Sequence, residues 1–171
     1  MRKVAVISAL LGAFLLAGFV RDYNGTFYDA PIQQTVFIYS TEIVGADIKS
    51  LATTPVVISP VPCSTCLIEF LRVAVKLTPG SEVMAESSDD LRVEYSGGGT
   101  AVSDPMEMTG FIDSAVVVYS IEPGIWFGVA GAPASSAGKA LALAGTSSDF
   151  TGNASNDAVL SVRLTYTVHS F

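Results

Sequence analysis

The stretch Leu67-Ile68-Glu69-Phe70-Leu71-Arg72-Val73-Ala74-Val75-Lys76-Leu77-Thr78-Pro79-Gly80, with Leu91-Arg92-Val93-Glu94-Tyr95-Ser96 after a polar loop, decides the fold. Leu71, Val73, Val75 and Leu77 share one parity; Arg72, Ala74, Lys76 and Thr78 share the other. Leu91, Val93 and Tyr95 alternate in the same way with Arg92, Glu94 and Ser96. Successive strand side chains point to opposite faces, so the pattern predicts two strands, each with a buried and a wet face. Pro79-Gly80 closes the first strand and Gly97-Gly98-Gly99 the second.

A helical reading competes for the same residues. Leu67, Phe70, Leu71, Ala74 and Val75 also sit at the spacing of an amphipathic helix. Cys63-Ser64-Thr65-Cys66 precedes them, and Pro55-Val56-Val57-Ile58-Ser59 before that reads as a strand. Strand, Cys-x-x-Cys and helix is the order of a thioredoxin-like redox site, where a helix N-terminus lowers a thiol pKa. Val73 and Val75 favour the strand, and the rest of the chain offers few helices to complete such a fold. On the strand reading, Cys63 and Cys66 lie in a loop as reduced thiols, a local disulfide or half a metal site. The chain holds two cysteines and one histidine, so a closed zinc site would need carboxylates as well.

Outward from this stretch the same periods recur. Leu160, Val162, Leu164, Tyr166 and Val168 alternate with Ser161, Arg163, Thr165, Thr167 and His169, predicting a terminal strand held centrally or in a tight pair. Thr35 to Ser40 reads as a first strand, Ala46 to Leu51 as a helical turn, and Val56 to Ser59 as a short strand. Asp104-Pro105 makes Val102 to Thr109 an edge or bulged strand. Ala115 to Ile121 is a β-branched run stopped by Glu122-Pro123-Gly124. Ile125 to Val129 is short and aromatic, and Lys139 to Ala144 suits a helix by propensity or a short strand between glycines. Eight or nine strands with almost no helix predict an all-β, antiparallel β-sandwich, jelly-roll-like, in one domain over 35–171.

Residues 1–20 form a hydrophobic segment, and 21–34 read as a linker. Met1-Arg2-Lys3 leads into an uncharged run from Val4 to Val20, which suits a membrane anchor or a secretory signal. Cleavage after Gly18 would leave Leu16 at the −3 position, a poor signal site. Anchor, cleaved signal and neither stay open.

The composition is 50% hydrophobic and 15% charged, which excludes disorder. Net charge is −7 with nine scattered Lys and Arg, so no footprint for nucleic acid exists. No cofactor is implied. His169 is the single histidine, and any Ser-His-Asp or Cys-His site would have to use it. It is expected as a solvated strand residue. Asp149, Asn153 and Asp157 stand in an alternating series of oxygen side chains that suggests a calcium loop. Only two carboxylates and a misplaced Gly152 make a plain polar loop the expected reading. Glu69, Asp89, Asp90, Glu94 and Glu107 are expected as solvated charges, not a glycosidase pair. Trp126, beside Phe127, is a candidate exposed aromatic for binding, against a core role. Asn24-Gly25-Thr26 and Asn153-Ala154-Ser155 match the glycosylation sequon.

The order of segments carries a resemblance. Ala46-Asp47-Ile48-Lys49-Ser50-Leu51 through Val57 leads into Leu67 to Leu77, then Asp90 to Tyr95, Thr109-Gly110-Phe111-Ile112-Asp113, Gly138 to Leu143 and Leu160 to His169. Over residues 42–171 this resembles small all-β virion structural proteins of tailed bacteriophages. The resemblance implies a non-enzymatic role in a virus particle, as capsid decoration, cement or a tail-associated part. It also implies a homo-oligomer, with a trimer favoured, and contact with major capsid or tail proteins. The hydrophobic N-terminus and the Cys63–Cys66 loop depart from that pattern. They keep open a secreted or membrane-anchored bacterial β-sandwich module, carbohydrate-binding through Trp126, in the cell envelope or outside the cell.

Overall fold

Strands account for most of the regular structure, as the alternating runs require. The computed structural model describes residues 35–85, 89–97, 100–124 and 136–170, with the backbone of 20–21 and 27–28. The hydrophobic run from Val4, up to residue 19, lies outside the described residues. The elements are β1 (Val20–Arg21), β2 (Phe27–Tyr28), β3 (Val36–Val44), α1 (Gly45–Lys49), β4 (Val56–Val57), β5 (Cys66–Thr78), β6 (Met84–Ala85), β7 (Leu91–Tyr95), β8 (Val118–Pro123), β9 (Leu141–Gly145), β10 (Thr151–Gly152) and β11 (Val159–Ser170). Every ladder is antiparallel. One sheet has the order β3-β11-β5-β8 and another β4-β9-β7; β10-β6 and β1-β2 are two-stranded ribbons. The stretch 21–34, expected as linker, thus contributes residues to the β1-β2 pair.

β11 is central, flanked by β3 and β5, and its ladder with β5 runs from Val159↔Thr78 to Ser170↔Cys66. Within it Thr165 faces Arg72 and Tyr166 faces Phe70, so Leu71 has no partner on β11. This is a β-bulge, and it shifts the parity of β5 by one residue. Cys66, Ile68 and Phe70 are buried before it, and Val73, Val75 and Leu77 after it. Leu71, expected in the core, is half-buried on the opposite face. The bulge also explains the competing helical pattern: Phe70 and Val73 are both inward although three residues apart. With Cys66 opening a strand, the helix that a thioredoxin-like site needs is not formed.

The bulge is sealed from the other side. Gly124 N donates to Leu71 O at 2.8 Å. A Cβ on Gly124 would overlap the Phe70 carbonyl, so only glycine fits there. Glu122-Pro123-Gly124 therefore does not stop the strand early: β8 runs through Pro123, which faces Arg72, and starts at Val118, not Ala115. The Val102 to Thr109 segment forms only the isolated bridges Leu91↔Met106 and Ser103↔Gly124, with Glu94↔Ala101 just before it, yet it buries Val102, Met106 and Met108. Lys139 to Ala144 resolves as strand β9, buried along its whole length.

Both larger sheets feed one hydrophobic cluster, which includes Val73, Val75, Leu77, Leu160 and Leu164 from one and Leu91, Val93, Leu141 and Leu143 from the other. Tyr95 ties them directly, donating from its hydroxyl to Ile68 O at 2.6 Å. Burial first, and the nearby Glu69 carboxylate second, push that hydroxyl's pKa up to about 12. Two residues depart from the expected faces. Val168 is 37% exposed. It lies beyond Thr167↔Val36, where the β3 ladder ends, so among the described residues no strand partner flanks it on that side. Glu94, expected on a wet face, is buried because the β4-β9-β7 sheet is covered there, and it pairs with Arg92 at 2.9 Å.

The difference between Leu164, fully buried, and Val168 is measurable. Urea denaturation should show Leu164→Ala destabilising by about 2–5 kcal/mol and Val168→Ala by under about 1 kcal/mol. Equal losses would contradict the position of β11 in the core.

Candidate functional site

Three regions gather polar or reactive groups. The first is the end of the four-stranded sheet where β5 begins. Cys63 and Cys66 are joined as a disulfide across a tight turn, in which Cys66 N donates to Cys63 O at 2.9 Å. Cys66 is buried and Cys63 exposed. Neighbouring register positions place Ser170 opposite Cys66, His169 opposite Leu67, and Thr167 opposite Glu69. The Thr167 hydroxyl donates to Glu69 Oε2 at 2.9 Å. His169 Nε2 lies 2.8 Å from the same oxygen and 3.1 Å from Thr167 Oγ1. His169 is therefore tied to a carboxylate on the neighbouring strand, which sequence alternation alone did not reveal. The arrangement differs from an acyl-transfer triad, where the carboxylate and the nucleophile use different ring nitrogens. Here one nitrogen faces both groups, and Thr167 is buried.

The second region is the loop around β10. Asp149, Asn153 and Asp157 do not converge on one point but serve two hydrogen-bond sets. Asp149 Oδ1 accepts from Ala52 N and Thr53 N, each at 3.0 Å, and Oδ2 from Thr53 Oγ1 at 2.9 Å. It thereby fastens the turn that follows α1. Asp157 accepts from Asn153 Nδ2 and Ser155 Oγ at 2.9 Å and from Ser81 N at 2.9 Å. These bonds, Asn153 foremost, hold its carboxyl well below the usual carboxylate range. Gly80 leaves the room: a Cβ there would collide with the Asp157 carboxylate and Asn153 Nδ2. Asn153 is buried in the left-handed region (φ 42), and its amide also donates to Glu82 O at 2.6 Å. A side-chain amide so engaged is closed to glycosylation in the folded chain; the other sequon, at Asn24, lies outside the described residues. Among the described residues, no group of three or more His, Cys, Asp and Glu side chains is placed to hold a metal ion.

The remaining carboxylates are mostly engaged too. Asp89, expected in solvent, is buried, and its Oδ1 accepts from Thr146 Oγ1 at 2.6 Å and Ser147 Oγ at 3.1 Å, sewing the start of β7 to the end of β9. Asp90 Oδ1 accepts from Met108 N at 3.2 Å. Glu107 is exposed, and hydrogen bonds from Thr109, its hydroxyl first and its backbone N second, lower its pKa. Trp126 lies outside the described residues.

The third region is the face of the four-stranded sheet turned away from the core. Its rows are Glu42-Ser161-Lys76-Tyr119, then Ser40-Arg163-Ala74-Ile121, then Ile38-Thr165-Arg72-Pro123. A shallow groove of about 340 Å³ lies over the first two rows. At its rim β8 is an edge strand, and Tyr119 and Ile121 are 71% and 65% exposed. Val116, just before the strand, is 67% exposed. An apolar edge without a charged outward residue is what soluble monomers usually avoid.

No family model, curated protein or solved structure matches the chain.

Two outcomes follow from this geometry. Asp157→Asn should be less stable than the parent at neutral pH. The parent carboxyl is depressed in the folded state, so its contribution is complete above about pH 4 and fades as pH falls below that. Denaturation curves taken down the acid range should therefore converge; a constant gap would contradict the assignment. For the disulfide, the closed loop is short, so Cys63→Ser/Cys66→Ser should cost only about 2 kcal/mol by the loop-closure relation. Circular dichroism should keep its β spectrum. Loss of that spectrum would mean the bond, not the core, holds β5.

Proposed function

We propose that the chain is a non-enzymatic structural protein of a virus particle, a jelly-roll-like β-sandwich that works through repeated subunit contacts. The observation that carries the assembly reading is the exposed apolar strip Val116, Tyr119 and Ile121 at a sheet edge that, among the described residues, no further strand covers. Such a strip is a liability in a monomer and a contact in an oligomer. The placement in a virion, as capsid decoration or a tail-associated part beside major capsid or tail proteins, rests on the resemblance of residues 42–171 to tailed-phage virion proteins. A head-to-tail contact that closes after three copies makes a trimer, the oligomer favoured here. The run Val4 to Val20 offers a membrane attachment in addition; among the described residues, no helix is long and apolar enough to cross a membrane.

Sedimentation of the full chain in non-ionic detergent tests the reading. A trimer is expected, dissociated by Ile121→Lys with the β spectrum unchanged, because a lysine on the edge opposes docking. A monomer at every concentration, with sugar binding lost on Trp126→Ala, would replace the virion reading with the carbohydrate-binding module.

A further inference from the structure

We propose that the outward face of the four-stranded sheet is a receptor for an acidic segment of a second copy of this chain, residues 104–113. The proposal rests on the self-association reading and names the two surfaces that meet. Three of the nine Lys and Arg residues, Arg72, Lys76 and Arg163, stand on this one face. Arg163 lies opposite Ala74, so both Arg72 and Lys76 are its diagonal neighbours on β5. Diagonal neighbours on one face of an antiparallel pair are about 7–8 Å apart. Arg163 is thus repelled by a like charge on either side, and Ala74 opposite it leaves a hollow. Among the described residues, none of the three makes an ion pair or side-chain hydrogen bond. The nearest carboxylate in the lattice of rows, Glu42, is diagonal to Arg163 and not bonded to it. Lys76 and Arg163 line the groove, Glu42 stands on its β3 side and the exposed Tyr119 on its β8 side, with Arg72 and the exposed Ile121 just outside it.

The complementary surface is on the same chain. No Lys or Arg occurs between Arg92 and Lys139. Within that interval Asp104, Glu107 and Asp113 are exposed, while Met106, Met108, Phe111 and Ile112 beside them are buried. The acidic side chains are therefore presented on a segment nailed to the core, so little order has to be created on docking. Glu107 is held ionised by its bonds to Thr109. This segment bridges to β7 of the three-stranded sheet through Leu91↔Met106. The cations alternate with Val73, Val75 and Leu77 and point away from the shared core on the other sheet. Ser103, just before the segment, bridges to Gly124 at the end of β8, so the segment starts beside the edge of the four-stranded sheet; among the described residues, none of its carboxylates pairs with Arg72, Lys76 or Arg163 of the same copy. A contact of two different surfaces is heterologous, the kind that closes into rings.

The test is charge reversal and restoration in the full chain, read by sedimentation in non-ionic detergent. Arg72→Glu/Arg163→Glu should weaken self-association at least about tenfold, as like-charge juxtaposition does. Asp104→Arg/Glu107→Arg should do the same. A chain carrying all four changes should recover the parent's association, which a merely misfolded variant would not. Carbodiimide coupling of mixed isotope-labelled and unlabelled parent chains should join Lys76 of one copy to Asp104, Glu107 or Asp113 of the other. Association that ignores both reversals, or couplings of Lys76 elsewhere, would overturn this pairing and leave the oligomer standing. Absence of any self-association in the parent would remove the assembly reading together with it.

Discussion

The ladder between β5 and β11 is the interaction on which the rest depends. It joins a strand from the middle of the chain to its last one, and β3 and β8 attach only to its two sides. Its inward residues, among them Val73, Val75, Leu160 and Leu164, form the floor on which Leu91, Val93, Leu141 and Leu143 pack. Such a long-range pairing closes a large loop before its contacts reward the closure. The register must therefore be well specified, since a slip by one residue would turn every side chain to the wrong face. Alternation fixes it along most of the ladder, and the bulge at Leu71 fixes the rest.

What the sequence made legible is what depends on period alone. The alternation of Leu160 to Val168 located β11, and that of Val73 to Leu77 located the second half of β5. Leu71 was misplaced because a bulge adds one residue without altering composition; nothing local in Phe70-Leu71-Arg72 marks it. A distant residue, Gly124, holds the cue, and its Pro-Gly context reads as a strand end until the Phe70 backbone is seen beside it. Glu94 was misplaced for a related reason. Alternation says which side chains share a face, but not whether that face is wet, and on the smaller sheet both faces of β9 are covered.

The polar clusters show the same limit. Asp149, Asn153 and Asp157 are close in sequence and form the polar loop expected of them, but spacing does not show that Asp149 reaches back to Thr53 and Asp157 to Ser81, while Asn153 bonds Asp157 itself. Glu69 and His169 are 100 positions apart in the chain, with a contact made only by strand register. Short-range spacing finds turn chemistry well, but cross-strand chemistry only after topology is known. The cations Arg72, Lys76 and Arg163 look scattered along the sequence for the same reason.

The bulge links these observations. Past it, the inward parity of Val73, Val75 and Leu77 turns Arg72, Ala74 and Lys76 outward. Before it, the inward parity of Ile68 and Phe70 turns Glu69 outward, beside Thr167 and His169. Were β5 to alternate without interruption from Leu77 back to Cys66, Glu69 would point into the core in place of Phe70. A buried unpaired carboxylate there would cost several kcal/mol, about the margin of a whole domain. β11 has no matching irregularity, so Arg163, Thr165, Thr167 and His169 stay on one face throughout. One extra residue on one strand thus aligns two outward rows that would otherwise fall on opposite sides. It places the Glu69–His169 pair and the cationic rows on the same face of the sheet.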